Sequence, residues 1–298
     1  MSIIEKAMGK RAKSKPAMQA SEPKVSAPQV ELVDKPNQYV SVPIDLNDPK
    51  LLRIDEQRLK DLGMVNHSNE RTNLEITNEY RSIKQKLLYN AFGLGAQAQP
   101  NGNLVMVSST VPSEGKTFTS VNLALSLASE KDKTVLLVDA DILKPDVSNL
   151  LQIEPRPGLI DYLTGEVDDI GEVIYPTNIA NLRILPAGAW HHESNELLAS
   201  EKMEQLIAEL STRYANRMVV FDCPPVLGVV ETVTISKHLG QAMLVIEPGR
   251  TKMSNVEAAA SQLSSDMTVG FIMNKVVRSS HVSYGYGYGY GYGYGHER

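Results

Sequence analysis

Residues 103–117 read N-L-V-M-V-S-S-T-V-P-S-E-G-K-T, and the rest of the chain can be read outward from them. Residues 104–107 form a short apolar run with two valines, which suits a buried parallel strand. The run breaks into Ser108, Ser109, Thr110, Val111, Pro112, Ser113 and Glu114. Gly115, Lys116 and Thr117 then open a periodic segment, 118–128, that reads as a helix. A strand, a small-residue loop and a helix opening on Lys-Thr make a phosphate cradle, because backbone N–H groups and the helix dipole both point at an anion there. In such a cradle Lys116 reaches the β and γ phosphates and the Thr117 hydroxyl ligates Mg²⁺. Gly-Lys-Ser/Thr alone arises by chance in roughly one chain of this length in seven. The first glycine of the usual pattern is also replaced, by Thr110, so the weight falls on context.

That context is a series of strands ending in acids. Residues 135–141, V-L-L-V-D-A-D, read as a strand with two carboxylates at its C-terminal end. Residues 218–222, M-V-V-F-D, read as another, stopped by Pro224 and Pro225. Residues 182–185, 242–246 and 269–273 are further short apolar runs. Residues 158–175 read as helical turns, 196–210 as an amphipathic helix, and 254–263 as a helix. Apolar strands alternating with helices predict an α/β fold, a doubly wound, mostly parallel sheet covered on both faces. Ligands in such sheets sit at the carboxyl ends of the strands. Lys116, Asp139, Asp141 and Asp222 all fall there.

An aspartate after a strand is commonly a helix cap or a turn former. Three at the ends of two strands, beside a phosphate loop, read instead as a metal site. Mg²⁺ takes one or two carboxylates plus substrate phosphates, which leaves one aspartate spare to accept a proton from an attacking hydroxyl. Cys223, flanked by Asp222 and two prolines, reads as a small buried hydrophobe, and His191 and His192 as loop residues.

The bulk numbers bound the rest. A chain of 298 residues with net charge −5 is large enough for one α/β domain with flexible ends, and its basic residues are not gathered into a nucleic-acid surface. A single cysteine allows no internal disulfide and fits a reducing cytosol. No apolar run approaches the roughly 18 residues a membrane span needs, so the expectation is a soluble chain that meets a membrane only through a partner. Prolines at 16, 23, 28, 36, 43 and 49 among Lys, Ser, Gln and Glu mark residues 1–71 as a flexible linker with short helical pieces, one of them 55–62, stopped by Gly63. A helix is expected from Thr72, which stands three residues before Glu75 at capping-box spacing. It would turn Ile76, Tyr80, Ile83 and Leu87 inward, with Arg81, Lys84 and Lys86 off that face. Residues 72–276 are then the folded domain and 277–298 a tail.

The tail places Tyr284, Tyr286, Tyr288, Tyr290, Tyr292 and Tyr294 alternately with glycine. It reads as a spacer, a self-associating aromatic patch or a string of phosphoacceptors. From residue 275 to 294 an extended chain spans at most roughly 65 Å, enough to reach a neighbouring subunit's site or its own.

Together, S-S-T-V-P-S-E-G-K-T (Walker A), V-L-L-V-D-A-D (Walker A′), V-V-F-D-C-P-P (Walker B), N-E-L-L-A-S, G-F-I-M-N-K-V and the tyrosine cluster resemble the bacterial tyrosine autokinases of exopolysaccharide and capsule export, including the stand-alone kinases of exosortase-linked loci. That family shares its fold with the partition and septum-positioning ATPases, whose extra loop lysine is here Val111. The resemblance implies ATP and Mg²⁺ as cofactors. It assigns nucleotide contact to Ser113, Glu114, Gly115, Lys116, Thr117 and Phe118, with Asn274 near the adenine. Catalysis falls to Lys116, Asp139 and Asp141, with Asp139 activating the tyrosine hydroxyl, and Mg²⁺ to Thr117, Asp141 and Asp222. It further implies phosphorylation of the tail tyrosines, a membrane polysaccharide co-polymerase or chain-length regulator as activator, a cognate tyrosine phosphatase, homo-oligomer formation and a cytoplasmic place at the inner face of the membrane. Two departures stand out. Ile142 and Leu143 follow the acid pair where the family has basic residues, and the ring-forming helix has Asn78 with Arg81 and Lys84 where a Glu is usual. Competing readings are a partition-type ATPase switch and a non-catalytic assembly factor with an adhesive tail.

Overall fold

The computed structural model describes residues 44–66, 74–93, 100–213 and 216–276. Seven strands form one sheet in the order β3-β4-β2-β5-β1-β6-β7. In chain order they are β1 (Leu104–Ser109), β2 (Thr134–Asp139), β3 (Tyr175–Pro176), β4 (Leu182–Leu185), β5 (Arg217–Asp222), β6 (Gln241–Ile246) and β7 (Thr268–Met273). All pairings are parallel except β3 with β4. β1, β2 and β5 are buried almost end to end, which is why their sequences are continuous apolar runs rather than alternating ones.

The helix after the phosphate loop, α3 (Lys116–Ala128), is buried along nearly its whole length. One side lies on the sheet and the other under α2 (Leu74–Phe92), which contributes Tyr80 and Leu87 to the core. Ile76 and Ile83 pack partly buried beside them, as the 3.6-residue spacing predicts. Lys84 departs from the expectation. It is buried, donates to Ser129 Oγ at 2.9 Å and pairs with Glu130. An ammonium there meets the negative end of the α3 dipole, so a basic residue follows the apolar face inward. Asn78 and Arg81 remain exposed. The Thr72 cap lies outside the described residues.

Residues 44–66, placed by sequence in the flexible segment, carry core residues. Leu51, Leu52, Ile54, Leu59, Met64 and Val65 are buried, and Leu52 bridges to Thr177 beside β3. Within this stretch α1 (Glu56–Asp61) is capped by Asp55 and followed by Gly63 at φ 66.

Five more helices complete the crossovers: α4 (Val147–Leu151), α5 (Leu159–Thr164), α6 (Ser194–Leu198), α7 (Glu201–Thr212) and α8 (Val230–Ser236). A further helix among the described residues, α9 (Met253–Gln262), joins β6 to β7. The predicted helix over 196–210 is in fact two, because the Ser200 hydroxyl accepts from Met203 N at 3.3 Å and caps a new start. Residues 158–175 hold α5 and one turn of 3-10 helix rather than continuous helix. Among the described residues no helix is long and apolar enough to cross a membrane.

Candidate functional site

The strand order assembles the site. β5 lies between β1 and β2, so Asp222 stands directly beside Asp139 on one side and Val107 on the other. The loop after β1 therefore opens next to both acidic strand ends. Its conformation is held by two left-handed residues, Ser113 at φ 70 and Gly115 at φ 97. A side chain at Gly115 would be strained by that φ and would displace the Asn274 side-chain amide, which fills the space of a Cβ.

Three buried carboxylates face one buried ammonium. Lys116 Nζ lies 2.7 Å from Asp141 Oδ2 and 3.5 Å from Asp222 Oδ2. The Thr117 hydroxyl donates to Asp222 Oδ2 at 2.7 Å and the Ser120 hydroxyl to Asp222 Oδ1 at 3.0 Å. Asp139 Oδ2 accepts from Val147 N at 3.2 Å, whereas its Oδ1 is buried without a hydrogen-bond partner. Burial, reinforced by the neighbouring Asp222, pushes the Asp139 carboxyl well above the usual carboxylate range. Burial also raises Asp222, against the pull of Lys116, Thr117 and Ser120. For Lys116 burial acts downward, but Asp222 and Asp141 outweigh it and the ammonium sits above the ordinary lysine value.

This donor set fits a nucleotide with Mg²⁺. Three carboxylates against one lysine leave an excess of negative charge that a divalent cation balances, and all of its ligand atoms are oxygens, as Mg²⁺ requires. Thr117, Asp141 and Asp222 would hold the ion, and the backbone N–H groups of residues 113–118 the phosphates. The loop geometry thus brings Lys116, Thr117, Asp139, Asp141 and Asp222 together as expected.

The side chains of Glu114 and Asn274 brace the phosphate loop in this structure. The Glu114 carboxylate turns into the loop, accepting from the Thr110 hydroxyl at 2.9 Å, from Val111 N at 3.0 Å and from the Thr251 hydroxyl. Asn274 Nδ2 donates to the Glu114 carbonyl at 2.9 Å. Lys275 Nζ donates to the Ser113 carbonyl at 2.6 Å and pairs with Glu247 at 2.9 Å. Phe118 is half-buried against the core. Sequence reading missed Thr110, Thr251, Lys275 and Ser120 as supports. Ser120, one helical turn beyond Lys116 on α3, was the one that spacing could have found.

Cys223 is fully buried, and its burial pushes the thiol well up, as befits an inert core residue. His191, His192 and Glu193 bring potential ligand atoms within 4.8 Å of one another on the surface, but His191 Nδ1 already accepts from Glu193 N at 3.2 Å. A cavity of about 620 Å³ lies at the opposite end of the sheet, among Lys50, Thr134, Asn181 and Arg183. The ionisable cluster, not that cavity, marks the chemistry. The tail tyrosines lie outside the described residues.

Comparison with known proteins agrees. An AAA domain model matches residues 106–257. Tyrosine-protein kinase wzc of Salmonella typhimurium is 34% identical over 194 residues, which is 64% of this chain and 26% of that protein. The match thus spans about a quarter of the length of that relative. Tyrosine-protein kinase YwqD of Bacillus subtilis is 31% identical over 209 residues, covering 70% of this chain and 84% of that protein. The solved kinase domain of VpsO superposes with a TM-score of 0.58 at 29% identity, over 70% of this chain and 100% of that one. With a P-loop, three clustered aspartates and these relatives, the chain belongs to the family of bacterial tyrosine-protein kinases.

Proposed function

We propose that this chain is an ATP- and Mg²⁺-dependent tyrosine kinase that phosphorylates its own cluster Tyr284, Tyr286, Tyr288, Tyr290, Tyr292 and Tyr294, mostly between copies. The observation that carries the reading is the unpartnered, buried Asp139 Oδ1 beside the Lys116, Asp141 and Asp222 group. A base held apart from the metal ligands can activate an attacking hydroxyl, and the tail supplies six tyrosine hydroxyls as targets.

When bound, ATP supplies the phosphoryl group and Mg²⁺ neutralises its charge. The chain's own residues do the rest. Lys116 and the loop amides orient the phosphates. Thr117, Asp141 and Asp222 fix the metal. Asp139 takes the tyrosine proton at Oδ1, and burial makes it a stronger base than a surface aspartate. A tyrosine hydroxyl of unperturbed pKa about 10 needs that base only as the new bond forms. Val111, in place of the partition ATPases' loop lysine, supports transfer over a hydrolytic switch.

Family membership supports the setting. The kinase would act in exopolysaccharide chain-length control and export, at the cytoplasmic face of the membrane, with a membrane co-polymerase as activator, a tyrosine phosphatase as its counterpart and a homo-oligomer as its working form. With Lys84 committed inside the fold, Arg81 and the neutral Asn78 are left on the outer face of α2 for any ring contact.

A mixing experiment tests the reading. A chain ending at Ser283 serves as the enzyme, and a full-length Asp139→Asn chain as the acceptor. Phosphotyrosine on the acceptor, with ATP and Mg²⁺, is the expected result. No phosphotyrosine on the acceptor, while wild-type chain labels itself, would overturn transfer between copies.

A further inference from the structure

We propose that the tyrosine-rich tail, residues 284–294, pairs as an added antiparallel strand along the open edge of β7, with its tyrosines over Phe271 and Met273, and that phosphorylation lifts it off.

β7 ends the sheet, and among the described residues no strand lies beyond it. Its inner edge is committed to β6: Thr268 N donates to the Gly240 carbonyl at 3.1 Å, and Asn274 N to the Ile246 carbonyl at 2.9 Å. With Gly270 opposite Met243 in parallel register, the even-numbered amides face β6. Alternation then aims the backbone N–H and C=O of Val269, Phe271 and Met273 at the open edge. The side chains of these three residues share one face. Phe271 is 50% exposed and Met273 67% exposed. An exposed apolar edge of this kind is a template for another strand.

The chain itself brings an occupant to that edge. Directly after β7, Lys275 adopts φ 57, a left-handed turn that bends the chain as it leaves the strand, and residues 274–283 supply length for a return. In the segment Y-G-Y-G-Y-G-Y-G-Y-G-Y the period of two puts every tyrosine on one face of an extended strand and every glycine on the other. Tyrosine favours strands and glycine disfavours them, so this segment orders only where a template exists. The added tyrosine face would cover the Phe271 and Met273 stripe. Each phosphate brings about −1.5 to −2 charges, which an apolar stripe cannot solvate. The pairing does not depend on the proposed kinase activity; only its natural release does.

Hydrogen exchange read by mass spectrometry tests both parts. Full-length unphosphorylated chain is compared with a chain ending at Ser283, at two protein concentrations. The expected result is about tenfold slower exchange over residues 268–276 in the full chain, independent of concentration. Phe271→Pro removes an outward N–H while leaving the β6 ladder intact, as edge strands tolerate, and is expected to abolish protection of residues 284–294. Replacing all six tyrosines by Glu is expected to restore the fast exchange of the truncated chain. Equal exchange in the full and truncated chains would overturn the pairing. Protection that grows with concentration would also overturn it, in favour of a second copy at the edge. A six-Glu chain as protected as wild type would overturn release by charge.

Discussion

Asn274 Nδ2, at the end of the edge strand β7, donates to the carbonyl oxygen of Glu114 in the phosphate loop at 2.9 Å, across 160 residues of sequence. The same nitrogen occupies the space a Gly115 Cβ would need. The last strand therefore braces the first loop. Removing the brace by Asn274→Ala deletes one hydrogen bond worth about 1 kcal/mol, near fivefold in Kd for ATP. Titration with a fluorescent nucleotide checks this, and the melting temperature should fall by a few degrees at most.

Glu114 holds the loop from within. In Glu114→Gln one carboxylate oxygen becomes an amide donor, so acceptors for the Thr110 hydroxyl, Val111 N and the Thr251 hydroxyl fall short. A buried unsatisfied group costs about 1–3 kcal/mol. Both thermal stability and ATP affinity should fall, and by more than in Asn274→Ala.

Lys116 balances three buried carboxylates. Lys116→Met leaves them uncompensated, and breaking a buried pair in this way costs about 3–5 kcal/mol. A second substitution, Asp141→Asn, removes the carboxylate 2.7 Å from the missing ammonium and should restore a large part of the loss. Thermal melts without nucleotide at neutral pH would show a double variant more stable than Lys116→Met. Additive losses would contradict the charge balance described here.

Tyr80 reports the packing of α2 on α3. Burial raises its hydroxyl to about 12 from 10.0. With a folded pKa above the unfolded value, the folded chain keeps its proton while the unfolded chain loses it. This contribution is therefore complete below about pH 10 and disappears as pH rises towards 12, by about 2–3 kcal/mol. Denaturant melts from pH 9 to 11.5 should show wild type losing stability more steeply than Tyr80→Phe.

Much of this was legible in the sequence, and the exceptions have physical causes. β1, β2, β4, β5, β6 and β7 fell within about two residues of their apolar runs; the central strands β1, β2 and β5 are buried on both faces and admit little else. Asp139, Asp141 and Asp222 were found together because parallel strands all end at one edge. The short helices α4 and α8 were not, since neither carries enough turns to show a period; α4 is held at its start by the Val147 N–H to Asp139. The inward turn of Glu114 depends on Thr251, 137 residues away, and no spacing rule reaches that far. Lys84 was misplaced for a related reason. Its side chain follows the C-terminus of α3, a partner that the period of α2 cannot reveal.

Intact-protein mass spectrometry after incubation with ATP and Mg²⁺ decides between tyrosine transfer and hydrolysis, on wild-type chain beside Asp139→Asn and a chain ending at Ser283. A ladder of steps of about 80 Da, one per phosphoryl group, is expected in wild type, with at most six steps on the tail tyrosines, and is expected to be absent from both variants. Consumption of ATP by wild type without any gain in mass would contradict it and identify a hydrolytic switch in its place.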